Sequence, residues 1–357
     1  MAAVKQTRLE LSWQETLGDY VTAVDWSANG QLLAATSAVG ELVVWSASSR
    51  QPVLQFQAES QQSIDGLAFS ADGQFVAAGG QSGTVYIWQM QPAQGTFQPV
   101  ATLEHPRVWI DRLQWHPQQN ELAFSLGRYA QVWDAITQNV VTTLHFEHSS
   151  VLDLAWHPKG TYLAVGGQGG VKAWNRDDWD AEPEVRELAA ASVAITWSAD
   201  GQYLASGNLD RTLIVWEWSN PYPWQMQGFP GKVRQLAWSD LTTKSGAPLL
   251  ASISGEAIVL WEKAEDEQLG WTAKVLDLHQ DVVQAIGFQP NSLLFASAST
   301  DGKLGLWQNA KAVQILEDAP KGSCLRWHPQ GKMLAVGGQN GELVVWTTAT
   351  PGQGFGR

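Results

Sequence analysis

The chain has 357 residues, 44% of them hydrophobic and 16% charged, with 35 acids against 22 bases for a formal net charge of −13. An acidic chain opposes a phosphate-backbone partner, which needs clustered Lys and Arg, so no nucleic acid is expected as a partner. No apolar run approaches the ~18 residues that span a bilayer, residues 1–14 hold no apolar signal-peptide core, and Cys324 is the only cysteine, so an intrachain disulfide is excluded. These features lead to the expectation of a cytoplasmic protein without a membrane partner.

In chain order, Thr7 to Leu17 comes first and reads as a lone strand with Leu9, Leu11 and Trp13 on one face. After it, one unit recurs to the end of the chain. Each unit holds three short apolar runs of strand length, broken by turn residues. The first run ends in an aromatic: Trp26, Phe69, Trp115, Trp156, Trp197, Trp238, Phe288 and Trp327. The second is rich in small residues, as in Leu33–Ala34–Ala35, Val76–Ala77–Ala78 and Leu204–Ala205–Ser206. The third carries a tryptophan: Trp45, Trp88, Trp133, Trp174, Trp216, Trp261, Trp307 and Trp346, at spacings of 39 to 46 residues. Both series give eight units, near the ~40–45 period of a propeller repeat. The two positions hold 14 of the 20 tryptophans, which therefore read as core residues and not as ligands.

The turns between the first and second runs fall into two kinds. Ser27–Ala28–Asn29–Gly30, Ser70–Ala71–Asp72–Gly73 and Ser198–Ala199–Asp200–Gly201 are one, and His116–Pro117, His157–Pro158 and His328–Pro329 the other. Histidines at equivalent places in different units lie on a ring and do not converge on a metal. They are expected to be solvated turn residues.

The seventh unit, His279 to Trp307, is the most complete. Asp301–Gly302 between its apolar runs is a hairpin signal, so the unit reads as an antiparallel meander, with Ala312 to Leu316 as a fourth strand. It resembles a WD40 repeat. The family's His before the first strand, Ser or Thr on the second, Asp in the next turn and Trp closing the third match His279, Ser299 (or Ser297), Asp301 and Trp307. In the family these side chains form a hydrogen-bonded network, which suits a buried imidazole and indole N–H that both need partners. The resemblance covers nearly the whole chain. It implies an all-β fold, an eight-bladed β-propeller of four-stranded antiparallel blades, with the N-terminal strand completing the last blade and removing its open edge. Departures exist. His105 and His148 precede units that lack the turn Asp, Asp210 has no preceding His, and only Trp133–Asp134 spells the terminal dipeptide.

One propeller domain is expected over residues 1–357, with a closing strand in 1–19, eight repeats in 20–346 and a flexible Gly/Pro-rich tail in 347–357. What the resemblance implies for function is a non-catalytic scaffold that assembles protein complexes, with no cofactor and no small-molecule substrate. A hydrolase- or lactonase-like propeller enzyme with a metal in the channel is the rival class, and Asp25, Asp65, Asp111 and Asp153 on adjacent first strands are its best candidates. A fixed structural subunit of one complex is the other alternative. The His145–Phe146–Glu147–His148 cluster offers His145 and His148 as weak metal candidates, but His148 stands where the family places its structural His, so no metal is expected. Gly167–Gln168–Gly169–Gly170 precedes a strand and is no dinucleotide loop.

Loop lengths point to a partner surface, because binding residues sit on loops held by a rigid scaffold. The face that carries the one-to-two and three-to-four connections is here called the bottom. Its insertions are Gln91 to Gln98, Asn175 to Glu184, Asn220 to Trp224, Leu241 to Pro248 and Glu262 to Thr272. Trp179, Tyr222, Trp224 and Trp271 fall in them beside Asp177, Asp178, Asp180, Glu265 and Asp266, as expected of aromatic anchors for a basic protein partner.

Overall fold

The computed structural model describes residues 8–147 and 149–349. They form eight four-stranded antiparallel sheets, in each of which neighbouring strands follow one another up and down. Blade one is typical, with strands Val21–Trp26, Leu32–Ser37, Glu41–Ser46 and Pro52–Gln57 running from the channel outward. Its second strand is buried at all six positions, and it is covered on both faces by neighbouring blades. Only small or apolar residues fit such a strand, which explains the recurring Ala pairs. The fourth strand alternates toward solvent and buries little.

The last blade joins the two ends of the chain. Arg8–Thr16 pairs antiparallel with Glu342–Ala349, from Arg8 opposite Ala349 to Thr16 opposite Glu342, and so becomes the outer strand of a sheet begun by Gly322–Trp327 and Met333–Gly338. Leu9 and Trp13 of the closing strand are buried and Leu11 is exposed, so the strand faces the neighbouring blades through the first two. A register shift between Leu11 and Trp13 marks a bulge that turns Trp13 inward. Residues 347–349 continue the last strand, and 350–357 lie outside the described residues.

Apolar clusters fill the spaces between blades, as in the one that joins Trp26, Leu33 and Trp45 of blade one to Trp13, Leu343 and Val345 of blade eight. No helix among the described residues is long and apolar enough to cross a membrane.

Candidate functional site

Blade seven holds the polar network, with one change of member. The Ser297 hydroxyl lies 2.7 Å from His279 Nε2 and accepts from Trp307 Nε1 at 2.8 Å. His279 Nδ1 is 3.2 Å from Asp301 Oδ2. Ser299, the residue first matched to this role, bonds instead to the Asp281 carbonyl and accepts from the Asp301 N–H. Burial pushes the His279 pKa down and the Asp301 carboxylate only partly opposes it, so the ring is neutral. A neutral ring that donates from Nδ1 to Asp301 accepts at Nε2 from Ser297, and every group is satisfied. In blade three the corresponding His105 has a buried Nε2 without a partner and packs against Phe124. His148 lies outside the described residues.

The first-strand tryptophans tie blade to blade. Each indole N–H donates to a backbone carbonyl of the preceding blade's first strand: Trp26 to Arg326, Trp115 to Ala68, Trp156 to Gln114, Trp197 to Ala155, Trp238 to Thr196 and Trp327 to Gly287, at 2.9 to 3.2 Å. The accepting residue is always the one before that blade's own aromatic. Phe69 and Phe288 have no N–H to give.

The turn histidines are not solvated. His116, His157 and His328 are 2%, 7% and 4% exposed. Each ring stands edge-on against the next blade's tryptophan, at 4.7 to 5.0 Å between centroids. Each Nε2 reaches the carbonyl of the next blade's turn glycine: Gly160, Gly201 and Gly30, at 3.1, 3.3 and 3.1 Å. Nδ1 accepts a backbone N–H of its own turn, so Nε2 is the donor. Burial lowers all three pKa values, and the bond to the glycine carbonyl opposes the shift without cancelling it.

The bottom-loop aromatics divide. Trp271 is buried, with its ring against Tyr203 and Trp238. Trp224 is half-buried, packs on the same core and lies against Gly270. Trp179 caps Trp156. Trp179 and Trp271 fold back onto the first-strand ring of their own blade, and Trp224 into the seam between blades five and six, because a loop aromatic gains more contact there than in water. Trp218 on Trp197 and Phe97 on Phe69 follow the same habit. Tyr222 alone of the four candidates stands in solvent, 80% exposed, and Leu269 in the next blade's loop is 67% exposed. Around them Arg186 pairs with Glu184, Lys263 with Glu217 and Lys274 with Glu262, while Asp178, Asp180 and Glu265 have no ion pair among the described residues. Leu269 escaped the sequence reading because it is aliphatic. Trp109, 60% exposed on the opposite face between blades two and three, escaped it because its segment is no insertion.

In the channel, Asp25 pairs with Arg326 and accepts from the Phe69 N–H. Asp153 pairs with Arg112 and accepts from the Ile195 N–H. Asp65 accepts from Ser63, and Asp111 has its pKa raised by desolvation, opposed by Arg112 and assisted by Asp65. Two of the four are thus committed to structure. His145 is exposed and stacks on Tyr129. Among the described residues no group of three or more His, Cys, Asp or Glu is arranged to hold a metal ion.

Eight meander sheets closed head to tail by the first strand define a β-propeller, and the blade-seven network is that of one repeat class. The family model described as WD domain, G-beta repeat, matches residues 12–46, 50–89, 270–308 and 313–347, so the propeller carries WD40 repeats in these four places. A second model, Eukaryotic translation initiation factor eIF2A, matches residues 81–213. Among similar curated proteins, Protein HIR1 of Kluyveromyces lactis is 26% identical over 175 residues, 42% of this chain and 20% of that protein. Protein CIA1 of Arabidopsis thaliana is 31% identical over 90 residues, 24% of this chain and 25% of its own length. Periodic tryptophan protein 2 of Arabidopsis thaliana is 23% identical over 235 residues, 64% of this chain and 26% of its own. The matched stretches span only a fifth to about a quarter of these relatives.

Proposed function

We propose that the propeller is a non-catalytic scaffold for protein complexes, acting in the cytoplasm, and that a basic segment of a partner docks on the bottom rim across blades four to six. The observation that carries this reading is that Tyr222 and Leu269 are both exposed on loops of neighbouring blades, on the face whose loops also carry Asp178, Asp180 and Glu265, acids without an ion pair among the described residues. An aromatic and an aliphatic anchor supply buried contact area, and rim carboxylates steer a basic partner and speed its approach. A net charge of −13 argues against nucleic acid and anionic membrane alike. Top-face docking at Trp109 is the second reading, favoured by an indole 60% exposed.

Affinity capture with the wild-type chain and three variants separates these readings. Tyr222→Ala with Leu269→Ala is expected to keep the melting temperature and lose the partner. Trp224→Ala with Trp271→Ala is expected to cost folding stability on the ~3–5 kcal/mol scale of a truncated core Trp, and so to lower the melting temperature. Full recovery of partner by the Tyr222/Leu269 variant rules the bottom rim out, and loss of partner in Trp109→Ala moves the site to the top.

A further inference from the structure

Eight seams join the blades, and among the described residues seven are tied on the bottom face by a side chain. Asn120 donates to Asp72 across seam two–three at 2.9 Å. His116 and His157 reach Gly160 and Gly201 across the next two. Lys263 meets Tyr203 and Glu217 across seam five–six, Asp240 accepts from the Asn291 N–H across six–seven, Gln289 donates to the Gly331 carbonyl across seven–eight at 2.8 Å, and His328 reaches Gly30 across eight–one.

Seam one–two has the receiving half of this device without the giving half. Gly73 has φ +70°, as Gly30, Gly160 and Gly201 have +71°, +75° and +73°. A Cβ built on those three would lie 2.0 to 2.2 Å from the donor nitrogen of a histidine, whereas at Gly73 it meets nothing within 4 Å. The residue in the giving position is Ser27, and its hydroxyl turns back to Asn29 and the Leu32 N–H of its own turn. Blade one is also short here. Its outer ladder ends at Trp45 and Pro52, while blade two's runs on to Gln91 and Thr96 and blade eight's to Ala349 and Arg8. The result is a cleft of about 1100 Å³ lined by Ser27, Gly73, Met90 and Met333, with Asp72 and Lys332 also on its walls.

We propose that this cleft binds a His side chain on an extended segment of a partner protein, the imidazole donating to the Gly73 carbonyl as the chain's own histidines donate to Gly30, Gly160 and Gly201. The occupant follows from the chain's own precedent, since three equivalent seams take an imidazole at this position. Charge complementarity agrees, because the Asp72 carboxylate beside Gly73 suits a ring that can carry a proton, and Lys332 suits an acidic residue further along the segment. Met90 and Met333 give walls that adapt to apolar neighbours of that His. This site is separate from the Tyr222 rim and stands or falls independently of it.

The test pans a random phage-displayed peptide library on the full chain and titrates the selected peptides by fluorescence anisotropy. Peptides enriched in His are expected. Replacing their His by Ala should weaken binding about tenfold or more, the scale of one lost hydrogen bond to a desolvated acceptor. Ser27→His with Ala28→Pro gives blade one the His-Pro turn of blades three, four and eight. It should fill the cleft, abolish peptide binding and leave the melting temperature unchanged or raised. Should that variant misfold, Gln74→Trp, at an exposed position on the cleft, serves the same purpose. Tyr222→Ala with Leu269→Ala should leave peptide binding intact. Selection of no peptide, of peptides without His, or of peptides indifferent to both cleft variants overturns the proposal, as does binding that appears only when the chain is shortened to Ala349.

Discussion

At the scale of single residues, stability in blade seven rests on Ser297. Its hydroxyl is the one group shared by an imidazole and an indole, both buried, so removing it strands two polar atoms. Leaving a buried donor or acceptor unsatisfied costs about 1–3 kcal/mol. Ser297→Ala and His279→Ala should each lose stability on that scale in urea melts. His105→Ala should lose less, because its buried Nε2 has no partner to strand. Equal losses at His279 and His105 would contradict the assignment. The sequence could not separate Ser297 from Ser299, since residues two apart on a strand point to the same face. Three members of the network, His279, Asp301 and Trp307, were legible through the resemblance of the unit to a WD40 repeat, whose pattern places one such residue at each of those positions.

At the scale of elements, the turn histidines make the ring sensitive to mild acid. Each ring is neutral and donates to a glycine carbonyl with its other nitrogen engaged as an acceptor. A second proton destroys that acceptor. Their folded pKa values lie below the ordinary ~6.5 of the unfolded chain. The unfolded chain therefore binds more protons between the two values, so this contribution is fully present above ~6.5 and is lost as pH falls through the folded value. Gln289 does the same work at seam seven–eight with a group that does not titrate. His116→Gln, His157→Gln and His328→Gln together should make the decline of the melting temperature between pH 7 and 5 shallower than the wild type's, with the remainder coming from His105 and His279, whose pKa values burial also lowers. A decline as steep as the wild type's would show that the histidines do not set it. None of this could be read along the chain. A polar turn normally faces water, and only the placement of the next blade, some 40 residues on, covers these rings. The loop tryptophans were misread for a related reason, because alternation assigns a face to strand residues and says nothing of Trp179, Trp224 or Trp271 beyond the strand ends.

For the molecule as a whole, closure depends on one strand. The count of blades was legible because two aromatic series keep step over the chain, and the closing strand because the last repeat has only three strands to offer. Arg8–Thr16 supplies the missing one and buries Leu9 and Trp13 between neighbouring blades, with Leu17 just beyond it. Gln314 of blade seven donates to the Leu9 carbonyl and accepts its N–H, so the strand is held to the adjacent blade as well as to its own. Each large apolar side chain returned to water costs roughly 1.5–3 kcal/mol, and the exposed edge of Glu342–Ala349 then invites pairing with another chain. Deleting residues 1–17 should therefore lower stability by several kcal/mol and produce concentration-dependent association, measured by thermal melts and by light scattering over a dilution series. Adding residues 1–17 back as a separate peptide should restore the melting temperature. A deletion variant that melts like the full chain and stays monomeric would show that the seven other blades hold the ring without it.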